Sequence, residues 1–496
     1  MWKFIAALKN FFSAETAEER ISWFVIISLA VISIFFILYK ADWLLGDNFP
    51  FLFTTAQRKF YPLVTVFKVG ETRFFPFAFL DFNLLPLIPG AVSGFAHYVY
   101  VAFSYIVFCL FFLFSCKKIC EKHEIKHGMY FAASAFLLSE AHSGFFDSFL
   151  NIMFPERVVI ILFAVFVFLI LKYSETQKTY LLVLAFLSAF LATYFKETVF
   201  AFFVVYAAWT LFFKKDCGRN EKIFSYSLIA NGIIFLLMYY IFAWKGHGNI
   251  YRADAVMGIW PLLRTVFQNS ALLLFVFSFA AARLYKCLIL KQESITVIDP
   301  LLAASSVFAL EYIVLGYSSN YYYAPAITAG AIPVVFYAVR IAAQKRYAGA
   351  LAIVFLCLVP FIEMPSVSAI IHTTIIERTK VMPGLRMMAE KYASGGKIYW
   401  FQPWNKSEKI FNLTEIYINF ILNREMGKNR GQNDSVLTVT ETVPELGVND
   451  IFLYMAMNNG QFNADSLTLS ALREYGFEFC QFQTGYMVFA KGKCSL

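Results

Sequence analysis

Long runs of apolar residues, separated by short polar segments, account for most of the first 363 positions of this chain. A helix needs about 20 apolar residues to cross a bilayer, and fewer where neighbouring helices support it. The runs therefore predict eleven transmembrane helices, at positions 21–39, 92–115, 128–145, 157–171, 179–195, 198–213, 223–243, 266–287, 296–317, 324–343 and 347–363. Only Lys196 and Glu197 separate the fifth from the sixth. Because charges are costly at the bilayer centre, this pair predicts a tight turn at one membrane face.

The two ends of the chain follow other patterns. In residues 1–20, Trp2, Ile5, Leu8 and Phe12 recur at helical spacing, which predicts an amphipathic helix lying on the membrane, set off from the first span by Glu15, Glu18 and Glu19. The first apolar run is long enough to span and lacks a small-residue cleavage site, so we expect it to stay as a helix rather than act as a cleaved signal peptide.

The tail, residues 364–496, alternates helix-like pieces with short strand-like ones. The helix-like pieces lie at 383–393 and 466–476, and the strand-like ones at 397–402, 435–440, 450–457, 477–482 and 486–492. Gly-Gly and Asn-Gly turns lie between some of them. The chain is thus predicted to be a polytopic α-helical membrane protein, spanning over 21–363, with a soluble C-terminal α/β or α+β domain.

Composition agrees with a membrane protein: 59% of the residues are hydrophobic, 15% are charged, and the mean hydropathy is +0.62. A soluble globular protein has about 25% charged residues, so that class is excluded. The net charge of +9 collects in short loops between apolar runs, which is not a nucleic-acid footprint.

The distribution of lysine and arginine predicts the orientation of the chain. One set of short loops carries nearly all of them: Lys117, Lys118, Lys122, Lys126, Lys172, Lys178, Lys214, Lys215, Arg219, Lys222, Arg283, Lys286, Lys291, Arg340, Lys345 and Arg346. The N-terminus is therefore expected in the cytoplasm of a bacterial inner (plasma) membrane protein. An odd number of spans then places the tail outside, with outer loops at 40–91, 139–157 and 244–265.

Ionisable residues also gather at the predicted outer ends of the spans. They are Asp42, Asp47, Arg58, Lys59, Lys68, Glu71, Arg73, Asp81, Glu140, His142, Asp147, Glu156, Arg157, Lys196 and Glu197. A carboxylate beside a basic pair suits transfer from a lipid phosphate. The carboxylate accepts a proton from an acceptor hydroxyl, and the cations stabilise the departing phosphate.

Several of these residues, and a cluster of tyrosines, also have a structural interpretation. Asp42 is explained by a helix end in water, Asp47 by a turn beside Gly46 and Asn48, and Lys196-Glu197 by a local salt bridge. Pro155-Glu156-Arg157 has the form of a helix start, Arg58 and Lys59 suit lipid headgroups, and Tyr317, Tyr321, Tyr322 and Tyr323 suit an aromatic belt at the membrane interface.

Cysteine and histidine place few constraints on the chemistry. Cys480 and Cys494 lie in the tail, where they either pair as a disulfide or stay as two free thiols. The histidines are scattered, so no histidine metal site is predicted. The sequence specifies no cofactor, although a divalent metal such as Mg²⁺ or Mn²⁺ stays open.

In layout, the whole chain resembles the GT-C superfamily of membrane glycosyltransferases, which includes protein O-mannosyltransferases and the lipid A aminoarabinose transferase. The shared features are a cytoplasmic N-terminus, a long first outer loop that opens with an acidic residue, and a soluble end. Asp47 in Gly-Asp-Asn-Phe-Pro matches the catalytic acid of the first loop, although the paired acid of several families is replaced here by Asn48. Pro155-Glu156-Arg157 and Lys196-Glu197 resemble the polar groups that face the carrier phosphate.

The resemblance implies an inverting transfer of a sugar from a polyprenyl-phosphate carrier to an envelope glycan, lipid A or a protein, on the periplasmic face. It implies Asp47 as the base, with Asp42 or Asp81 as a possible second acid. Arg157, Lys196, Arg58 and Arg73 would bind the donor phosphate, supported by Glu156, Glu197 and His142, and Tyr321 and Tyr322 would line the groove for acceptor or lipid.

Two other functions stay open. An O-antigen polymerase or ligase also uses many spans and polyprenyl-linked glycans, but has its large outer loop late in the span region and lacks a soluble α/β tail. A lipid-linked glycan flippase or transporter would need charges at mid-membrane depth, where Glu311 is the one exception to charges near the faces.

Overall fold

A computed structural model describes residues 16–42, parts of 74–81, residues 94–242 except 127 and 153, residues 271–381 except 316–318 and 345, and five strands between 398 and 491, with a few isolated residues elsewhere. The chain divides into two compact units. The helical unit comprises Met1–Leu38, Phe60–Val92 and Ala96–Ile371, and the sheet unit comprises Tyr39–Lys59, Ser93–Phe95 and His372–Leu496.

Twelve α-helices are described. They are α1 (Ala17–Leu38), α2 (Gly94–Lys122), α3 (Gly128–Glu140), α4 (Ser143–Leu150), α5 (Glu156–Thr176), α6 (Thr179–Phe195), α7 (Val199–Phe213), α8 (Arg219–Phe242), α9 (Ala271–Leu288), α10 (Ile298–Leu315), α11 (Asn320–Gln344) and α12 (Arg346–Ile376). Among the described residues, eight helices are long and apolar enough to cross a membrane, and α6 and α7 are shorter apolar helices. The predicted turn at Lys196-Glu197 is confirmed, because α6 ends at Phe195 and α7 begins at Val199.

The first helix begins earlier than its apolar run. Thr16 and Glu19 form a capping box, in which the Glu19 amide donates to Thr16 Oγ1 and the Thr16 amide donates to Glu19 Oε2, both at 3.2 Å. Such a box satisfies amides that have no partner within the helix. The prediction that Glu18 and Glu19 lie before the helix is therefore wrong, since both belong to its first turn. The amphipathic segment before Thr16 lies outside the described residues.

The predicted span at 128–145 is also wrong, because the chain breaks there into two helices. α3 ends at Glu140, and α4 begins at Ser143 and packs against the start of α11. The Asn320 side-chain amide donates to Ser143 Oγ at 2.6 Å. A Cβ on Gly144 would overlap the backbone carbonyl of Asn320, so glycine permits this close approach. The break does not interrupt the apolar run in the sequence, because α4 is itself apolar.

Helix α11 is the centre of the helical unit. Every residue from Tyr322 to Ala338 is buried, and α11 contacts α3, α4, α5, α9 and α10. Pro325 and Pro333 lie inside it. Prolines are tolerated in membrane helices where neighbouring groups satisfy the freed carbonyls. Helix α11 is therefore held from several sides along its length.

The sheet unit contains all five strands expected from the sequence, β1 (Ile398–Phe401), β2 (Leu437–Thr440), β3 (Ile451–Met455), β4 (Phe477–Gln483) and β5 (Tyr486–Lys491). Their order is β2-β1-β3-β5-β4. β1 pairs in parallel with β2 and β3, whereas β5 pairs antiparallel with β3 and β4. The unit thus contains a mixed sheet, and the two predicted helical pieces lie largely outside the described residues.

Candidate functional site

Buried charges gather where three parts of the helical unit meet. These parts are the first turn of α5, the turn between α6 and α7, and the segment around Asp81. Pro155 immediately precedes α5 and Glu156 begins it, which agrees with the helix start expected from Pro-Glu-Arg, since proline and an acid suit the first turn. The segment around Asp81 is held to α6 because the Phe77 amide donates to the carbonyl of Tyr194 at 3.0 Å.

Arg157 forms the first ion pair of this site. Its Nη2 donates to Asp81 Oδ2 at 2.7 Å, and Nη1 donates to the Ile152 carbonyl at 3.3 Å. Tyr100 also donates to Asp81 Oδ2, at 3.3 Å, and its ring centroid lies 5.5 Å from the guanidinium. The arginine is fully buried and Asp81 nearly so. The guanidinium is therefore held in one orientation by a carboxylate, a carbonyl and an aromatic face.

Lys196 forms the second pair. Its Nζ lies 2.7 Å from Glu156 Oε1, and both side chains are buried. The same ammonium lies 4.7 Å from the centroid of the Tyr322 ring, within the range of a cation–π contact. Glu156 is the chain neighbour of Arg157, so the two pairs stand side by side. Lys196 therefore pairs with a distant residue rather than with its neighbour Glu197.

The cluster is balanced in charge, with two cations and two carboxylates. Burial raises the pKa of Asp81 above its ordinary value, and the charge and hydrogen bond of Arg157 act against that rise. Buried ion pairs are costly to assemble, since desolvation offsets much of the attraction. Two fixed cations of this kind are suited to bind an anion that takes the place of their carboxylate partners.

An aromatic wall borders the pairs. The Tyr321 ring stacks on Phe154 with centroids 3.9 Å apart, and Tyr322 lies 4.2 Å from Tyr321 and 4.9 Å from Tyr312. The Tyr312 hydroxyl is 2.5 Å from Thr198 Oγ1, at the start of α7. Tyr321 and Tyr322 therefore stand beside the charges rather than only in a belt at the membrane interface.

Two further ionisable residues lie on or beside α4, and Asp147 is close enough to Glu156 for the two charges to interact. Burial, together with the charge of Glu156, raises the pKa of Asp147 to about 6. Its Oδ1 accepts a hydrogen bond from the Asn151 amide at 2.5 Å. Burial lowers the pKa of His142 to about 3, so this imidazole is neutral at pH 7.

Glu197 lies in the turn between α6 and α7 and is close enough to Glu311 of α10 for the two carboxylates to interact. Glu311 Oε2 is buried and accepts no hydrogen bond from the residues that the structure describes. Glu311 directly precedes Tyr312 of the aromatic wall. Glu197 directly precedes Thr198, whose hydroxyl contacts the Tyr312 hydroxyl.

Not all predicted site residues meet here. Asp42 belongs to the sheet unit, where its carboxylate pairs with Arg386 at 2.5 Å. Asp47, Arg58 and Arg73 lie outside the described residues. The structure thus brings together Asp81, Glu156, Arg157 and Lys196 with the two tyrosines, and the assignment of the base to Asp47 stays a prediction.

Sequence reasoning missed the aromatic partners of the cluster. Tyr100 and Tyr312 lie inside long apolar runs in which aromatic residues are frequent, so nothing local singles them out. It also missed that Glu140 is held by hydrogen bonds from Tyr105 and Ser33. Within the described parts of the chain, no group of three or more metal-ligating side chains occurs.

No protein-family model and no curated protein matches this sequence. The course of the chain is similar to that of several solved structures. ArnT from Cupriavidus metallidurans bound to undecaprenyl phosphate is 12% identical with a TM-score of 0.49, and the match covers 95% of this chain and 99% of that one. AglB from Archaeoglobus fulgidus, an archaeal oligosaccharyltransferase in complex with an inhibitory peptide and a dolichol-phosphate, is 12% identical with a TM-score of 0.45, over 96% of this chain and 74% of that one. These likenesses concern the course of the chain and assign no residue of the site.

Proposed function

We propose that this protein is an inverting glycosyltransferase of the GT-C type, which moves a sugar from a polyprenyl-phosphate carrier to an acceptor hydroxyl of the cell envelope. The observation that carries the proposal is the pair of buried cations, Arg157 and Lys196, held side by side at one end of the helical unit. Buried cations are costly, and a lipid-linked phosphate in the membrane is an anion that they are suited to bind.

In the proposed reaction, the acceptor oxygen attacks the anomeric carbon and the bond from that carbon to the phosphate oxygen breaks. The electron pair of that bond leaves with the phosphate, whose charge grows in the transition state. Arg157 offers a planar donor set and Lys196 a point charge, and fixed donors of this kind stabilise developing charge in a water-poor site. Asp81 and Glu156 balance the two cations when no phosphate is bound.

The proton of the acceptor hydroxyl passes to a carboxylate. We assign that role to Asp47, as the family resemblance implies, because Asp81 and Asp42 are already engaged with Arg157 and Arg386. Asp81 is better suited to positioning Arg157.

The finer features of the proposal follow the sequence pattern. The positive-inside distribution places this end of the helical unit on the periplasmic face of the inner membrane. The acceptor is then an envelope glycan, lipid A or a protein, and the sheet unit would serve the acceptor side. Tyr321, which stacks on Phe154, and Tyr322, which stacks on Tyr312, offer apolar faces of the kind that bind sugar rings or isoprenoid chains.

The direct test is sugar transfer from synthetic polyprenyl-phosphate donors by purified protein in nanodiscs. We expect Arg157→Ala and Lys196→Ala each to lower kcat by about 10²-fold or more, as removal of one charge-stabilising donor does. Asp47→Asn should abolish transfer. Lys178→Ala, an exposed lysine at the other end of the unit, is the matched control and should keep full activity.

Turnover that survives loss of both cations would overturn the assignment of Arg157 and Lys196 to the carrier phosphate. Absence of transfer from every donor by the wild-type protein would overturn the transferase assignment. If Asp47→Asn stays active while Asp42→Asn or Asp81→Asn does not, the base is misassigned but the transferase assignment stands.

A transporter of lipid-linked glycans is the second candidate, favoured by the buried Glu311 carboxylate on α10. Intramembrane carboxylates frequently mark transport pathways. Movement of a labelled donor across liposomes, without transfer and sensitive to Glu311→Gln, would favour this candidate over the transferase.

A further inference from the structure

A second charged site occupies the opposite end of the helical unit. Helix α10 runs from Ile298 to Leu315, so Glu311 and Tyr312 near its C-terminus lie by the ion pairs, and its N-terminus lies at the other end. A pocket of about 330 Å³ opens there between the last turns of α9, the connection that follows α9, and the C-terminal part of α11. We call it the basic pocket. Its polar lining includes Arg283, Lys286, Gln292, Glu293, Tyr337 and Arg340.

The floor of the basic pocket is rigid and neutral. Arg283 Nε and Nη2 donate to the Asp299 carboxylate at 2.9 and 2.6 Å, and Nη2 also donates to the Glu293 carbonyl at 3.1 Å. Tyr337 donates to the same carboxylate, and the Arg283 guanidinium lies 5.5 Å from the centroid of its ring. The Ile295 amide donates to Asp299 at 2.8 Å. This network fixes the shape of the pocket.

The rim of the basic pocket, formed by Lys286 and Arg340, carries its net charge. Lys286 and Arg340 are exposed, and neither forms an ion pair with any residue that the structure describes. Arg340 lies 5.9 Å from the Phe336 ring centroid, which orients its guanidinium. Glu293 is the one acid of the lining, and Arg283 is matched by Asp299, so the rim keeps an excess of one positive charge.

The surroundings of the pocket expose apolar side chains. The last two turns of α9 expose Leu284, Tyr285 and Leu288 by 41%, 56% and 44%. Apolar side chains surround the pocket, and two cations lie over its polar floor. This arrangement suits a ligand with an anionic head group. Basic pockets between membrane helices bind phosphate-bearing headgroups in this way, and a volume near 300 Å³ is enough for a small ligand.

We infer that the basic pocket binds a phosphate anion, at a site separate from the proposed transfer site and at the opposite end of the bundle. The anion is either the headgroup of an acidic phospholipid or a free phosphate. Lys286 and Arg340 bind it directly, while Arg283 holds the floor in place. The inference uses no residue of the transfer site and does not depend on the proposed reaction.

The test compares two double variants that remove the same charge at the same end of the helical unit. Lys286→Ala with Arg340→Ala empties the rim of the pocket. Lys178→Ala with Lys215→Ala removes two exposed lysines from neighbouring connections, and neither lysine lines the basic pocket. Neither pair is buried, so both proteins are expected to fold, which thermal unfolding in detergent would check.

The first arm measures retention of phosphatidylglycerol, with phosphatidylcholine as the neutral reference, by native mass spectrometry at low salt. We expect the rim variant to bind phosphatidylglycerol at least about tenfold more weakly than the wild type, a loss equivalent to about 1.4 kcal/mol. The control variant should match the wild type. Equal loss in both double variants would reveal only surface charge and would overturn the inference, as would no loss in either.

The second arm distinguishes the two sources of phosphate. Inorganic phosphate at millimolar concentration is added to protein carrying phosphatidylglycerol. Displacement that depends on Lys286 and Arg340 would assign the pocket to free phosphate, whereas a retained lipid would assign it to the headgroup. If the double variant does not fold, Lys286→Gln and Arg340→Gln singly should each weaken binding by about threefold, half the tenfold effect in free energy, and no change in either would overturn the inference.

Discussion

At the scale of single residues, the two buried cations of the site contact carboxylates that are far from them in sequence. Lys196 has a carboxylate beside it in sequence, yet it contacts Glu156 at the start of α5. Arg157 likewise pairs with Asp81, 76 positions away. A buried charge requires a partner in the right direction, and adjacent residues on a turn point elsewhere.

A double-mutant comparison separates the structural role of Lys196 from its proposed role in catalysis. Lys196→Ala leaves the Glu156 charge buried without its cation, and breaking such a pair costs about 3–5 kcal/mol. Lys196→Ala with Glu156→Ala removes both charges, so we expect most of the stability to return while sugar transfer stays lost. Unfolding in detergent and transfer assays on the same preparations would measure this, and a double variant with wild-type transfer would contradict the phosphate role.

The titration of Asp147 makes the free energy of unfolding depend on pH. Burial raises its pKa from 3.8 to about 6, so the folded protein prefers the neutral acid. Between these values the unfolded chain binds fewer protons, and the free energy of unfolding therefore falls as the pH rises through about 6. This shift in the pKa of Asp147 corresponds to a change of about 3 kcal/mol at most in the free energy of unfolding.

Asp147→Asn keeps the oxygen that accepts from Asn151 but cannot ionise. We expect its melting temperature to vary less than that of the wild type between pH 4 and pH 7, and to exceed it at pH 7. Parallel pH profiles for the two proteins would show that Asp147 does not titrate in this way.

At the scale of elements, close packing of α4 on α11 positions the site. The start of α11 carries Tyr321 and Tyr322, and α4 reaches it through Ser143 and Gly144. Because the missing side chain of Gly144 faces backbone, which cannot move aside like a flexible side chain, the contact tolerates no larger residue.

Gly144→Ala is expected to destabilise the protein by about 1–3 kcal/mol, the usual cost of overpacking. Gly218→Ala is the matched control, since a Cβ there would meet nothing within 4 Å. Melting temperatures of the two variants in the same detergent would test this. Equal values would mean that α4 shifts away from α11 without cost.

At the scale of the whole molecule, two charged sites stand at opposite ends of one helical unit. The ion pairs by Tyr322 are buried and balanced, whereas the basic pocket by Tyr337 has an exposed cationic rim. The proposed orientation places the first site outside and the second in the cytoplasm, which agrees with the attraction of cationic loops for the anionic inner leaflet.

Sidedness is testable by labelling single cysteines in a cysteine-free background. Ser319→Cys, at the start of α11, and Lys178→Cys, before α6, are exposed positions at opposite ends of the unit. We expect an impermeant maleimide to label Ser319→Cys in right-side-out vesicles and Lys178→Cys in inside-out ones. The reverse pattern would invert the proposed orientation and move the transfer site to the cytoplasm.

Local pattern was sufficient to predict most elements of this protein. Apolar length and punctuation located most of the helices, including the turn at Lys196, and strand-like pieces between turns located all five strands. These features depend on neighbours along the chain, because hydrogen bonds within a helix and burial of one strand face follow sequence spacing. The same local reasoning identified Arg157 and Lys196 as unusual, since charges beside long apolar runs are costly.

The folded structure decided which of these charges meet, where the helix after Gly128 breaks, and which aromatic rings face the cations. Asp81 rather than Glu156 became the partner of Arg157, and Gly144 rather than a polar residue allowed α4 to approach α11. These outcomes depend on distances between segments far apart in sequence. They are set by how whole helices pack, and no local pattern encodes that.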